Sequence, residues 1–536
     1  MAAVAARPVR GTDPYRPPAL TGLADLLDRQ VRERPYARAL VVTGERVPLS
    51  YGALARLADD VAVRLRGSGL RRGDAVGLLA ANSAEFVVAL LGAARAGLVV
   101  APLDPALPGS QLTARAAALG VGAVLAGPSA ATGPLNVPVW PLRVAASRAG
   151  TATVTLRPGP VARSRGAAGE LTERDALVLF TAGTTDRAKM VPLTHANVAA
   201  SVRTICATYE LGPGDATVAV MPFFHGHGLF AALLASLASG GCVLLPERGR
   251  FSAGTFWPDM RAVSATWFTA VPAIHEILLD RSERECPDAR SAPLRFVRSC
   301  SAPLNPATQR ALERTFGAPL LSAYGMTESS HQATSEPPPG RGALKHGSVG
   351  RATGVEVGVV DRDGVPCPPG VEGEVWVSGP TVARGYLADP DATASTFVGD
   401  RLRTGDLGIL DEDGYLSLTG RIKNLINRGG EKISPEQVED VLVGCPGVAQ
   451  AAVYALPDAV YGQRVGAAVV LRDGEGVETG EILRHCRDRL APFEVPDRLE
   501  LVAALPYTAK GGLDRKALQA RYAPGPDAGH APDPPG

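Results

Sequence analysis

The chain has 536 residues, with 55 basic and 54 acidic side chains and a formal net charge of +1. That length exceeds what one hydrophobic core organises, so at least two domains and a sizeable cleft are expected, while the balanced charge argues against nucleic acid or an anionic membrane as a partner. Seven scattered cysteines, an odd total with no Cys-x-x-Cys pair, argue against a disulfide framework and a zinc site and fit a reducing cytoplasm.

The opening Met1 to Pro8 lacks the apolar core of a signal peptide, so no export signal is expected. From about Leu20 to Gly127, helical periodicities alternate with short apolar strands such as Ala75 to Ala80 and Leu98 to Pro102, the pattern of a layered α/β domain with a parallel sheet. The most apolar long stretch, Val87 to Leu103, contains Gly92, Arg95, Gly97 and Pro102, which suits a buried helix followed by a strand and not membrane insertion. Between Gly127 and Glu173 the chain is rich in Pro, Ala, Gly and Arg with weak periodicity, and reads as a long surface excursion.

Ala176 to Lys189 is an apolar strand running into a loop of small hydroxyl residues closed by a lysine. Thr181, Thr184 and Thr185 offer hydroxyls, Gly183 permits close backbone approach and Lys189 adds positive charge, together a seat for a polyphosphate. The spacing is not that of the P-loop, and an ordinary strand-to-helix connection is the alternative. Strands recur at Thr217 to Met221, Cys242 to Leu245 and Arg295 to Arg298, and from about Gly347 short strands with Asp-Gly turns at Asp363 and Asp413 form a β-rich section.

Near Gly420 the character shifts. Ser434-Pro-Glu-Gln437 opens a helix with a Ser cap, Pro at its first position and Gln placed for a capping box, with Val438, Val441, Leu442 and Cys445 on one face. With strands at Val448 to Tyr454 and Ala467 to Leu471 and a helix at Glu481 to Leu490, this makes a compact α+β unit. The expected division is therefore 1–420, 421–523 and a disordered tail, 524–536, too polar to bury itself.

Further segments point one way: Phe224-His-Gly-His-Gly228, Ser299-Cys-Ser-Ala-Pro-Leu304, Tyr324-Gly-Met-Thr-Glu328, Thr404-Gly-Asp406 and Gly420 to Glu431. Their order resembles the adenylate-forming superfamily from about Leu20 to Tyr522, and the runs Phe224 to Arg281 and Arg298 to Ser301 are similar to AMP-forming acyl-CoA ligases of the oxalate–CoA ligase type. The resemblance implies a large layered amino-terminal domain with parallel-rich sheets that makes an acyl-adenylate from ATP and a carboxylate. It also implies a small mobile α+β domain that rotates so that coenzyme A attacks.

By the same resemblance, Tyr324 stacks on adenine opposite the backbone of Ser301, Ala302 and Pro303, and Gly325, Met326 and Thr327 complete the nucleotide contacts, Thr327 at phosphate. Glu328 holds Mg2+, Asp406 and Arg421 hold the ribose, Thr184 acts at the phosphates, Lys423 is the hinge, and Gly429 and Gly430 border the acceptor channel. The family's acyl-pocket gate falls on His225; with His227, Ser301 and His331 it forms a polar pocket, which favours a short charged acid over a fatty chain.

The chain departs from the family pattern twice. Gly512 occupies the place of the lysine that closes Pro-Lys-Thr-x-x-Gly-Lys, a loss commonly worth about 3–4 kcal/mol in the transition state. Lys510, two residues or about 6–7 Å of extended chain away, is the candidate replacement. Ala182, Asp186, Ala188 and Met190 also replace usual phosphate-loop residues, and an Asp186 carboxylate about 5 Å from a phosphate oxygen would cost roughly 3 kcal/mol. Two further readings therefore stand beside the ligase: activation of nitrite toward an amine, as in some bacterial biosynthetic relatives, and a degenerate homologue that only binds nucleotide.

Overall fold

The structure is a computed structural model that describes residues 18–42, 46–128, 135–148, 150–163, 166–181, 188–285, 294–472, 474, 476–507 and 513–522. Its largest sheet has seven strands in the order Ala152–Leu156, Val139–Ala146, Val124–Ala126, Ala75–Leu79, Val99–Leu103, Asp175–Phe180, Met190–Thr194. The inner pairings are parallel and both edge pairings antiparallel. Ala75–Leu79 and Val99–Leu103 are buried on both faces, which is why they read as continuous apolar runs and not as alternating ones.

The helix Ala84–Arg95, capped by the Ser83 side chain on the Phe86 amide, is buried along nearly its whole length and leads into Val99–Leu103, the buried helix and strand expected there. The long surface excursion is corrected: Val139–Ala146 and Ala152–Leu156 pair antiparallel and extend the large sheet. Trp140, Leu142, Val154 and Leu156 point inward, but each strand's outward positions carry Pro, Arg, Thr or Ala, which blurs the alternation. The loop after Asp175–Phe180 returns as the antiparallel strand Met190–Thr194 before the helix His195–Tyr209 begins. It therefore joins two strands, and the strand-to-helix alternative is not what forms.

A four-stranded sheet contains Ala216–Val218, Cys242–Leu244, Arg38–Val42 and Val47–Ser50. A five-stranded sheet runs Trp267–Ala270, Phe296–Ser299, Leu320–Tyr324, Thr334–Ser335, Arg351–Ala352, its first three strands parallel. The β-rich section is the antiparallel set Glu356–Val360, Gly373–Ser378, Phe397–Val398, Arg401–Leu410 and Leu416–Arg421. After Arg421 the chain leaves that sheet, and from Ile426 it builds another from Ile426–Arg428, Glu431–Ile433, Val448–Asp458, Gly462–Leu471 and Arg498–Leu501.

This last sheet packs with the helices Pro435–Val443 and Thr479–Arg487 around a separate core that includes Ile426, Val438, Leu442, Val465 and Ile482. The Ser434 side chain accepts from the Gln437 amide, but its hydroxyl donates to the Thr419 carbonyl at 2.6 Å. Only half of the expected capping box forms among the described residues, and the Ser434 hydroxyl also ties the helix start to the preceding sheet. Six cysteines among the described residues are free, and no described helix is long and apolar enough to cross a membrane.

Candidate active site

The expected site residues come from separate elements whose ends converge. Tyr324 ends the strand Leu320–Tyr324, and its hydroxyl donates to Asp406 at 2.6 Å. Asp406 and Arg421 are facing residues of the antiparallel pair Arg401–Leu410 and Leu416–Arg421, and the guanidinium pairs with the carboxylate at 2.5 Å. Two motifs distant in sequence thus meet as ladder partners. Burial, then the Asp406 carboxylate, pushes the Tyr324 phenol well above its usual pKa, so it keeps the proton that it donates to Asp406. Lys423 lies in the turn Ile422–Asn424 directly beyond, its ammonium pKa lowered by burial and by Arg421.

Glu328 lies on the turn Thr327–Ser329 that follows Gly325 and Met326, and is buried. Tyr386, which the sequence reading does not single out, donates its hydroxyl to Glu328 Oε1 at 2.7 Å. The Lys189 ammonium rides 4.4 Å above the Tyr386 ring centroid, a cation–π arrangement. At the other end of the loop, the Thr181 amide donates to the Lys189 carbonyl at 3.0 Å. One clasp therefore joins the base of the phosphate loop, a cation and a buried carboxylate. The only sequence hint of Tyr386 was its place after Gly385, too common a pair to stand out.

Gly183, Thr184, Thr185, Asp186, Lys510 and Gly512 lie outside the described residues. Gly429 and Gly430 form the tip between Ile426–Arg428 and Glu431–Ile433, with φ of 61° and 104°, a turn that L-residues with side chains rarely take.

The residues expected to form a polar pocket are held by structure that the motifs do not reveal. Asn82 donates to the carbonyls of Ala219 and Met221 and accepts from the Phe223 amide at 2.8 Å, fixing the turn that precedes the histidines. His227 then opens a buried π-helix, His227–Leu234, a form found mostly at functional positions. His227 Nδ1 lies 3.1 Å from Ser301 Oγ and its Nε2 lies 2.6 Å from Thr269 Oγ1. His331 stacks on it, with ring centroids 5.3 Å apart, and its loop is held by the Ser201 hydroxyl donating to the Ser330 carbonyl and the Ser330 hydroxyl donating to the Thr381 carbonyl. His225 precedes the π-helix and is half-buried.

Ser301, Ser330 and His331 take φ of 76°, 53° and 87°. Left-handed backbone at non-glycine residues stores strain that surrounding structure must hold, and it collects at functional sites. Behind the two histidines stands Arg298, which in the sequence is only one residue of a family-like run; it is fully buried on Phe296–Ser299. Burial and then Arg298 drive the pKa of both His227 and His331 well below the usual range, so both rings are neutral at pH 7. Ser301 and Pro303 are exposed and Ala302 is half-buried.

The carboxylates of Glu328 and Asp406, the Lys189 cation and the left-handed Ser301 segment suit a magnesium nucleotide: one buried acid for a hard cation, one for hydroxyl donors, and positive charge for phosphate. Comparison with known proteins agrees. Residues 27–387 match the family described as AMP-binding enzyme, and residues 437–511 match the AMP-binding enzyme C-terminal domain. An oxalate–CoA ligase of Arabidopsis thaliana is 41% identical over 515 residues, covering 93% of this chain and 98% of the relative. A sulfoacetate–CoA ligase of Cupriavidus necator is 34% identical, covering 95% and 98%. The crystal structure of ATP-bound MatB from Rhodopseudomonas palustris superposes with a TM-score of 0.80 at 30% identity, over 93% of this chain and 99% of that one. By pattern, sequence and fold together, the chain belongs to the AMP-binding enzyme family, in its adenylate-forming acyl-CoA synthetase branch.

Proposed function

We propose that this chain joins a small polar carboxylic acid to coenzyme A at the expense of ATP. A carboxylate oxygen attacks the α-phosphorus of ATP, pyrophosphate leaves, and the resulting mixed anhydride is opened by the coenzyme A thiol, releasing AMP. The observation that carries the substrate class is the buried cluster of Arg298, His227, Thr269, His331 and Gln332 at the pocket floor. An alkyl tail laid there leaves the buried Arg298 charge without a counter-ion and the Ser301 hydroxyl without an acceptor. Relatives named for oxalate and sulfoacetate support the same class.

In this reading Glu328 binds Mg2+, whose charge offsets that of the triphosphate, with Tyr386 holding the carboxylate and Lys189 beside it. Thr181, Thr184, Thr185 and the Gly183 backbone wrap the phosphates; Tyr324, Asp406 and Arg421 hold the nucleoside. Gly429 and Gly430 border the path of the thiol. Lys510 takes the part of the missing lysine at Gly512. ATP, coenzyme A and free buried cysteines fit a cytoplasmic enzyme.

The test is pyrophosphate and AMP release with oxalate, other short acids, aryl acids, and nitrite plus an aryl amine. Release with short polar acids and coenzyme A is expected. Release with nitrite and amine alone would overturn the ligase reading in favour of oxyanion activation, and no release with any of them would leave a nucleotide-binding homologue. Lys510→Ala should slow pyrophosphate release at least about tenfold, and an unchanged rate removes Lys510 from the reaction.

A further inference from the structure

A buried charge without a counter-ion needs an explanation. Arg298 is 0% exposed and has no carboxylate partner among the described residues. A guanidinium cannot shed its proton at any accessible pH. Its five N–H bonds instead go to neutral acceptors: Nε to Tyr209 Oη at 2.8 Å, Nη1 to Thr269 Oγ1 at 3.1 Å and His227 Nε2 at 3.2 Å, Nη2 to Gln332 Oε1 at 3.0 Å and His331 Nε2 at 3.1 Å.

An arginine only donates, so the Nε2 atoms of both histidines must offer lone pairs, and the Thr269 hydroxyl, 2.6 Å from His227 Nε2 and itself accepting from Arg298, donates there as well. Each neutral ring then carries its proton on Nδ1. From His227 that proton goes to Ser301 Oγ, 3.1 Å away, which frees the serine hydroxyl to donate onward. His331 Nδ1 has no hydrogen-bond partner among the described residues, although the residue is only 5% exposed. The two rings stack with 23° between their planes, and their Nε2 atoms meet the same guanidinium.

Resting on the ligase reading above, we propose that Arg298 is a positioning residue that sets this donor pattern. By occupying the Nε2 lone pairs it holds His227 and His331 as Nδ1–H tautomers, and the pocket selects an acid with a second anionic group. Such a group, carboxylate or sulfonate, supplies acceptors for the Ser301 and His331 donors and the counter-charge that Arg298 lacks. The guanidinium itself touches no substrate, since every N–H is already used.

Two measurements test this. Long-range 15N–1H correlation on histidine-labelled wild-type protein, assigned with His227→Gln and His331→Gln, should show both rings as Nδ1–H tautomers from pH 6 to 8. An Nε2–H tautomer or an imidazolium at either ring overturns the proposal, and no Arg298 variant is needed for it. Arg298→Lys keeps a charge but cannot reach both rings. In that variant the KM for oxalate, malonate and sulfoacetate should rise roughly tenfold to hundredfold, the range a hydrogen bond to a charged group commands, while KM for ATP stays put and acetate and propionate are little affected. A folded Arg298→Lys protein whose KM for every dianion stays within about twofold overturns it. Wild-type protein inactive with all of these acids would instead sink the ligase reading, and the tautomer spectrum would still decide the role of Arg298.

Discussion

Tyr386 shows how a single unremarked side chain organises the chemistry around it. Its hydroxyl holds one oxygen of Glu328 while its ring carries the Lys189 ammonium, so the acid proposed to bind magnesium is aimed by a residue outside every motif. Burial and then Glu328 raise the Tyr386 pKa, which keeps the proton in that bond. Tyr386→Phe should lower kcat about tenfold and raise the Mg2+ concentration for half-maximal activity, as expected for losing one charge-assisted hydrogen bond of roughly 1.5 kcal/mol; steady-state rates across a Mg2+ titration check this. His275 offers a second test. It is buried beneath the Arg298 carbonyl, with Nε2 at 3.2 Å, and burial depresses its pKa to about 4. The unfolded chain therefore binds this proton first as pH falls. Stability from the neutral ring is present above pH about 6.5 and is lost toward pH 4, by up to about 3 kcal/mol. His275→Gln, which does not titrate, should show a shallower fall in urea-unfolding stability over that window than the wild type.

The π-helix His227–Leu234 depends on close backbone approach at its start. A Cβ on Gly228 would lie 2.3 Å from the Pro222 carbonyl oxygen, whereas one on Gly226 meets nothing nearer than 3.6 Å, the Cβ of His331. Gly228→Ala should cost several kcal/mol, on the order of 3, because backbone and not a flexible side chain must give way. Gly226→Ala should stay within about 1 kcal/mol, and thermal unfolding of the pair separates the two. The same contrast explains why Phe224-His-Gly-His-Gly228 reads as one motif although its glycines serve different ends. On either side of the expected phosphate loop, the strand Asp175–Phe180 was legible from its apolar run, but the antiparallel strand Met190–Thr194 was not. Five residues are too few for periodicity to tell an edge strand from a helix entry.

For the molecule as a whole, the change of sheet between Arg421 and Ile426 is where the rotation that the family resemblance implies would be absorbed. If Lys423 is that hinge, Lys423→Pro, which fixes φ and removes an amide proton, should leave pyrophosphate release within about threefold and cut thioester formation by at least tenfold; rapid-quench assay of the two half-reactions measures the split. Composition and alternation were enough to determine the α/β class and the character change near Gly420, because local periodicity is written in neighbouring residues, and the resemblance of the ordered motifs to the adenylate-forming superfamily marked Tyr324, Glu328, Asp406 and Arg421 as candidates. Tertiary structure alone decided that Asp406 faces Arg421, that Val139–Ala146 closes onto the large sheet, and that Arg298 and Tyr386 stand behind the motifs. Those relations join residues tens of positions apart, and their energy comes from burial and hydrogen-bond saturation that exist only once the chain has closed on itself.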